Sequence, residues 1–418
     1  MSPFQFSALI LIPALLSSIA ASAESRADSA FPVCDLVIAE ASLGGVSAAL
    51  QALRLGARVC MTSMTDWVGG QLTVQGVPID EPSQWSSADR EFLQLHGRAE
   101  GDHWVIAPQG FVSAGVSSGH PHLEEVQRTM APLLEKVRGK GAGCWVSSHC
   151  FPASEGNRAL RELLAPYEAS GQLHLFLETV PKRVWMQGSS IASVEFVRRR
   201  ATGVPPAPYA VRLSTEIEDW YSEANSPRYS KELLRLTAPV FIDGTEMGDL
   251  IVLSGARYRL GFEGTASEPP EPECVMGFDF PLALEARRPL PGELDDLGPI
   301  GSPPGGLDFD ISQGGQFKFW IDDTGGSAPW AAVFEYRRVS QSPAVTAMNW
   351  DRGNDYSARS LVVPADQLGA QMQDWKGGIR VDVLEEAERR ALSFALWLNT
   401  QPLVQWQGRG VTPIRDLA

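Results

Sequence analysis

Positive charge is what this chain has too little of. Its 418 residues carry 50 Asp and Glu against 35 Lys and Arg, a formal net charge of −15. Such a surplus repels nucleic acid and makes an anionic membrane surface a poor partner. Cysteine and histidine are scarce too, at 5 and 6. Five cysteines is an odd number, so at least one is unpaired unless it bonds to another chain. Cys60 lies inside an apolar run and reads as a small core residue. Cys144 and Cys150 are close in sequence, and they either bridge in an oxidising compartment or stay as two buried thiols. Zinc spacing is absent, because Cys144 and Cys150 have only His149 beside them. Asp102-His103-Trp104 and His120-Pro121-His122 read as scattered loop histidines, and no metal is expected. No Ser-His-Asp order with a nucleophile elbow appears. After the N-terminal segment no stretch is apolar for long enough to span a membrane.

That N-terminal segment reads as an export signal, residues 1–23. Ala8 to Ala20 is apolar, and Ala21-Ser22-Ala23 has the small-x-small pattern of a cleavage site. The segment has no Lys or Arg, so the positive n-region is missing, and no twin-Arg pair precedes it. A periplasmic or secreted location is the expectation. Length favours two intimately packed domains, and 44% hydrophobic with 20% charged residues is ordinary globular composition.

The chain is organised around Cys34 to Glu81. Asp35 to Ala39 reads as an apolar strand, Ser42-Leu43-Gly44-Gly45 as a turn, Val46 to Leu55 as a helix, and Ala57 to Thr62 as a second strand. Strand, glycine turn, helix and strand make the βαβ unit that binds a dinucleotide. Its glycine pattern is altered. Aligned on Gly45, the G-x-G-x-x-G positions read Glu40-Ala41-Ser42-Leu43-Gly44-Gly45, so Glu40 and Ser42 replace the first two glycines. Ser63 stands at the end of the second strand, where a ribose-binding acid is expected.

Further along, the periodicity predicts helices over His122 to Arg138 and Ser154 to Glu168, and a strand over Leu173 to Glu178. Arg183 to Met186 and Ile191 to Arg198 read as a hairpin around Gly188-Ser189-Ser190. Leu236 to Asp243 reads as a buried strand that stops at Gly244-Thr245-Glu246-Met247-Gly248-Asp249. Residues 268–306 read as a loop or lid. Trp320 to Val339 and Ala344 to Tyr356 read as aromatic-rich strands. Asp382 to Leu398 reads as a helix, and 399–418 as a tail without pattern. The expected domains are an FAD-binding unit over 34–253 with inserted strands, a substrate or cap region over 254–380, and a C-terminal helix and tail over 381–418.

Several of these segments resemble the FAD-dependent oxidoreductase family of the glutathione-reductase-like flavoproteins. They are Trp67-Val68-Gly69-Gly70-Gln71-Leu72-Thr73, Gly76 to Glu81, Cys144 to Ser147, and Phe241 to Leu250. Tyr336-Arg337-Arg338, Asn349 to Tyr356 and Ala391 to Thr400 follow in the same order. The resemblance implies an α/β fold, with a Rossmann-like FAD-binding βαβ domain and an interleaved smaller β-rich substrate domain. It implies FAD as cofactor and an unknown small-molecule substrate. The cofactor residues it implies are Glu40, Ser42, Gly44, Gly45, Ser63, Gly69, Gly70, Gln71, Leu72, Gly248 and Asp249. Asp249 would meet the flavin's sugar-alcohol chain, or else act like a helix cap. Glu40 has either moved to hold the ribose that Ser63 no longer holds, or marks a decayed site. The family continues past the Trp397 helix, where this chain has only Gln401 to Ala418. A shortened protein, a second chain completing it, or a remnant all follow from that. The competing function is a cofactor-free homologue acting as a binding protein; an NAD(P)-dependent dehydrogenase fits the Gly-Gly-Gln turn less well.

Overall fold

A computed structural model describes residues 32–76, 97–100, 103–106, 132–133, 135–137, 140, 150–203, 212–261, 269, 278–289, 309, 337–341, 343–350, 353–400 and 412–413. The elements follow in chain order. β1 (Leu36–Ala39), α1 (Leu43–Arg54) and β2 (Val59–Thr62) form the first unit, and β3 (Gly97–Glu100) and β4 (His103–Ile106) a small antiparallel ladder. Then come α2 (Ala153–Ala169), β5 (Leu173–Phe176), β6 (Thr179–Gln187), β7 (Ser190–Ala201), α3 (Leu213–Tyr221), β8 (Tyr229–Leu236), β9 (Val240–Asp243) and α4 (Asp249–Leu253). The last part holds β10 (Phe278–Asp279), β11 (Leu282–Glu285), β12 (Arg338–Gln341), β13 (Ala344–Met348), β14 (Asp355–Tyr356), α5 (Val381–Thr400) and β15 (Thr412–Pro413).

A four-stranded parallel sheet in the order β5-β2-β1-β9 is the centre. β1 (LVIA) and β2 (VCMT) are apolar along most of their length and buried throughout, as strands covered on both faces must be. Side chains alternate between the faces. Leu36, Ile38, Val59 and Met61 pack against Val46, Leu50, Leu160 and Leu164 of α1 and α2. Val37, Ala39 and Cys60 face the other way, against Phe196 and Leu234 of the antiparallel meander β6-β7-β8. The sheet is thus sandwiched between a helical layer and a β layer, the Rossmann-like arrangement expected from the sequence. A second core joins Leu282, Leu284 and Met348 of the sheet β12-β13-β11-β15 to Ala391, Phe394 and Leu398 of α5.

Several expectations change. Cys60 is not a free thiol. It is bonded to Cys34, which lies just before β1, because adjacent parallel strands bring their Cα atoms to 5.8 Å. Cys150 is also disulfide-bonded, while Cys144 lies outside the described residues. β9 is an edge strand, half-buried rather than buried, with Val240 exposed. Part of the expected lid at 268–306 is core, since Leu282 and Leu284 are buried. In the tail, Thr412 and Pro413 pair with β11. The helix expected over His122 to Arg138 lies largely outside the described residues, although Leu133 and Val137 are buried in the main core. The histidine clusters at 102–104 and 120–122 and most of Trp320 to Val339 lie outside them as well, apart from the backbone of β4 and residues 337–339.

Candidate dinucleotide site

Three turns meet at the C-terminal ends of β1, β2 and β9, where open α/β sheets place their ligands. The first joins β1 to α1. Ser42 caps the helix, its Oγ accepting the Gly45 N–H at 3.2 Å. The N–H groups of Leu43 and Gly44 have no partner among the described residues. Gly45 is required by space, since a Cβ there would lie 2.1 Å from the Glu40 carbonyl oxygen. Gly44 is not, since its Cβ would meet only the Ser42 Oγ at 3.9 Å. Glu40 has φ +77°, the left-handed conformation that the replaced glycine would adopt freely.

The second turn holds Trp67 to Thr73. The Gly69 N–H donates to the Ala41 carbonyl at 2.7 Å, and the Val68 N–H to Asn157 Oδ1 of α2 at 3.1 Å. Thr73 Oγ1 donates to the Val68 carbonyl at 2.6 Å. Gly69 and Gly70 both have positive φ, and a Cβ on Gly70 would stand 3.2 Å from the Ser42 Cα. These bonds bolt the turn to the helix N-terminus. Gln71 is exposed, and Leu72 is buried against the main core.

The third turn follows β9. Asp243 accepts from the Thr245 N–H at 3.1 Å, the Thr245 hydroxyl at 2.7 Å and the Ile251 N–H at 2.9 Å. The Asp249 N–H donates to Thr245 Oγ1 at 2.8 Å. Gly248 takes φ +71° and lets α4 start at once. The Asp249 carboxyl is 1% exposed and accepts the Tyr221 hydroxyl at 3.1 Å. It therefore has a partner inside the protein, on α3, as well as its place at the start of α4. A cavity of about 160 Å³ borders Gly248, lined by Met247, Ile251, Tyr258, Leu368 and Trp375 among others.

Carboxyls gather here without a facing cation. The Glu40 carboxylate crosses to the end of β2. Its Oε2 accepts the Met64 N–H at 2.6 Å, and its Oε1 lies 3.3 Å from the Ser63 hydroxyl, which is also 2.6 Å from the Trp67 carbonyl. Burial pushes Glu40 up to about 8, against the two hydrogen bonds and with the charges of Glu246 and Asp249 adding to it. Burial likewise pushes Asp249 up to about 7 and raises Glu246. Arg199 holds the other end of Met64, donating to its carbonyl at 2.6 Å while stacking 4.3 Å from the Trp220 ring. Sequence reasoning missed Met64, Tyr221, Arg199 and Glu246. Glu246 carried a signal, since it lies inside the Phe241 to Leu250 segment. Tyr221 and Arg199 carried none. Among the described residues no group of His, Cys, Asp and Glu could hold a metal ion.

The residues present fit a dinucleotide. The α1 N-terminus offers free N–H groups to a pyrophosphate. Gly45 lets α1 pack closely on the end of β1, and Gly70 lets the second turn pack against Ser42. Glu40 is largely the neutral acid at neutral pH, so it opposes the phosphate less than an ionised carboxylate would.

Residues 35–216 match the family described as FAD dependent oxidoreductase. No curated protein matches the chain. Among solved structures, a flavin-dependent brominase is similar at 9% identity and a TM-score of 0.24, over 62% of this chain and 48% of that one. The p-nitrophenol 4-monooxygenase of Pseudomonas putida is similar at 10% identity and a TM-score of 0.26, over 64% and 50%. A myxobacterial chondrochloren halogenase is similar at 13% identity and a TM-score of 0.28, over 90% and 75%. The chain spans about half the length of the first of these. The stretch from 35 to 216, which includes the altered turn, matches the FAD dependent oxidoreductase family, and FAD is the cofactor that this match points to.

Proposed function

We propose that this chain is an exported oxidoreductase that uses FAD to exchange hydride with a small-molecule substrate. The observation that carries the reading is the α1 N-terminus, where the N–H groups of Leu43 and Gly44 have no partner among the described residues and Gly45 and Gly70 allow the two turns to pack closely. In this reading the N–H groups of Leu43 and Gly44 hold the pyrophosphate, and the turn at Gly69 to Leu72 lies along the cofactor. The sequence from Gly248 to Asp249 lies beside its sugar-alcohol chain. Bound FAD supplies the redox chemistry at the flavin. The chain's own residues bind and orient it; none of those described stands out as an acid or base for the substrate. The cavity bordering Gly248 is the natural place to look for the substrate.

Export is supported by the apolar segment at 8–20 and by two disulfide-bonded sites, Cys34–Cys60 and Cys150, since disulfides persist in oxidising compartments. Among the described residues no helix is long and apolar enough to cross a membrane. A periplasmic or secreted location is part of the proposal.

One observation favours the competing reading of a cofactor-free binding protein. Glu40, Glu246 and Asp249 together put three carboxyls where a phosphate-bearing ligand must sit. Purifying the mature chain, recording its visible absorbance, and adding excess FAD separates the two. Retained flavin absorbance supports the oxidoreductase. A colourless protein that cannot be reconstituted supports the binding protein.

A further inference from the structure

We propose that Glu40, from the turn after β1, has taken over the contact to the adenosine ribose that Rossmann units give to an acid at the end of β2, and so makes the site select the dinucleotide FAD over shorter flavins. This rests on the flavin reading above. It concerns one residue of this chain and explains an oddity that reading leaves open.

The end of β2 carries no acid of its own, only Thr62 and Ser63. A carboxylate is there nonetheless. Glu40 delivers it from the neighbouring strand, bonded to the Met64 N–H and beside the Ser63 hydroxyl. The backbone at Glu40 is fixed to the same place, its N–H donating to Thr62 Oγ1 at 3.1 Å. Oε2 accepts the Met64 N–H, and Oε1 lies beside the Ser63 hydroxyl. As the neutral acid that burial favours, the carboxyl carries one donor and one acceptor, which suits the neighbouring hydroxyls of a ribose.

The conformation points the same way. A glycine would adopt φ +77° without strain, whereas Glu40 holds it against a steric penalty. A position that had merely lost its function would have no reason to aim a buried carboxylate at the end of β2. Among the described residues the titratable groups near it are Glu246 from the turn before α4, Asp249 of α4 and Tyr221 of α3, with the Arg199 guanidinium on the far side of Met64. The neutral acid that burial favours holds a ribose hydroxyl without setting a full charge beside the pyrophosphate. Raising the pH through about 8 ionises it and turns it against the phosphates.

The test titrates FAD, FMN and AMP into the full mature chain and into Glu40→Gly and Glu40→Gln, with a thermal melt on each as a folding control. Glu40→Gly is expected to weaken FAD and AMP roughly tenfold while leaving FMN unchanged, the loss of a hydrogen bond or two to a buried carboxyl. Glu40→Gln keeps the shape, and its FAD affinity is expected to stop falling above pH ~8, where the wild type's declines through the upward-shifted Glu40 carboxyl. If Glu40→Gly binds FAD as tightly as the wild type, or more tightly, the carboxylate is a relic and the proposal is overturned. If both variants lose FAD and FMN equally, the role is structural and the proposal is again overturned. A wild type that binds neither FAD nor AMP overturns this proposal and the flavin reading together. A wild type that binds FAD beside unaffected variants overturns this proposal alone.

Discussion

Glu40 and Glu388 are bound in the same way, and the contrast between them separates a site from a seam. Each is buried. Each accepts one backbone N–H and lies beside one serine hydroxyl: Met64 and Ser63 for Glu40, Ser214 twice for Glu388. Burial raises the pKa of both. Glu388 joins two helices, however, fastening the start of α3 to α5, and Arg212 lies near enough to favour its charge. Glu40 stands at the C-terminal edge of a parallel sheet, in a left-handed conformation, and among the described residues Glu246 and Asp249 are the charges that act on it. Similar hydrogen bonds thus fasten two helices in one place and, under the proposal above, serve recognition in the other.

Four measurements break or sharpen that contrast. The largest effect is expected from Gly45→Ala. A methyl there would sit 2.1 Å from a backbone oxygen, so the α1 seat must move. Urea unfolding should show a loss of about 4 kcal/mol or more, with flavin binding gone. Next is Cys34→Ser. The disulfide closes a loop spanning a sequence separation of 26, which contains the whole nucleotide turn. Opening it should cost about 3 kcal/mol of stability, read by the same unfolding curve, and a wild-type value would show that the βαβ unit does not depend on it.

Glu388→Ala follows. It strands the N–H and hydroxyl of Ser214 in the interior, for about 2 kcal/mol, and should leave the ratio of FAD to FMN affinity untouched. A change in that ratio would erase the contrast with Glu40. The last measurement varies pH instead of sequence. Glu40 and Asp249 have folded-state values raised from 4.5 and 3.8 to about 8 and about 7. Groups raised in this way hold their protons more firmly when folded. Their stabilisation is complete below the ordinary carboxylate range and is lost as pH rises towards about 8. The melting temperature of the cofactor-free protein should fall over that window, and Glu40→Gln should flatten its upper part.

Much of the fold was legible because its hydrophobic pattern is local. β1, α1, β2 and α2 follow from apolar periods, and so do the β6–β7 hairpin and α5. α3 was not legible, because its buried face is partly polar. Ser214 is satisfied there by Glu388, and Glu216 by Arg228 and Tyr229, so in LSTEIEDWY buried polar residues interrupt the short stripe of Leu213, Ile217, Trp220 and Tyr221. β8 escaped for a similar reason. Lys231, Glu232 and Arg235 mask the alternation of Leu234 and Leu236 towards the core. The Cys34–Cys60 bond depends on which strands neighbour one another, which spacing alone does not reveal. At the site, the glycine turn was legible as altered, but the direction taken by the Glu40 side chain was not. That depends on Met64 and Ser63, which only the parallel pairing of β1 with β2 brings to it.

The claim on which everything else stands is that this cradle holds a flavin dinucleotide. Equilibrium dialysis of the mature wild-type chain against FAD at neutral pH tests it most directly. The account predicts saturable FAD binding that AMP displaces. Failure to bind FAD, with or without prior unfolding and refolding in its presence, would contradict it.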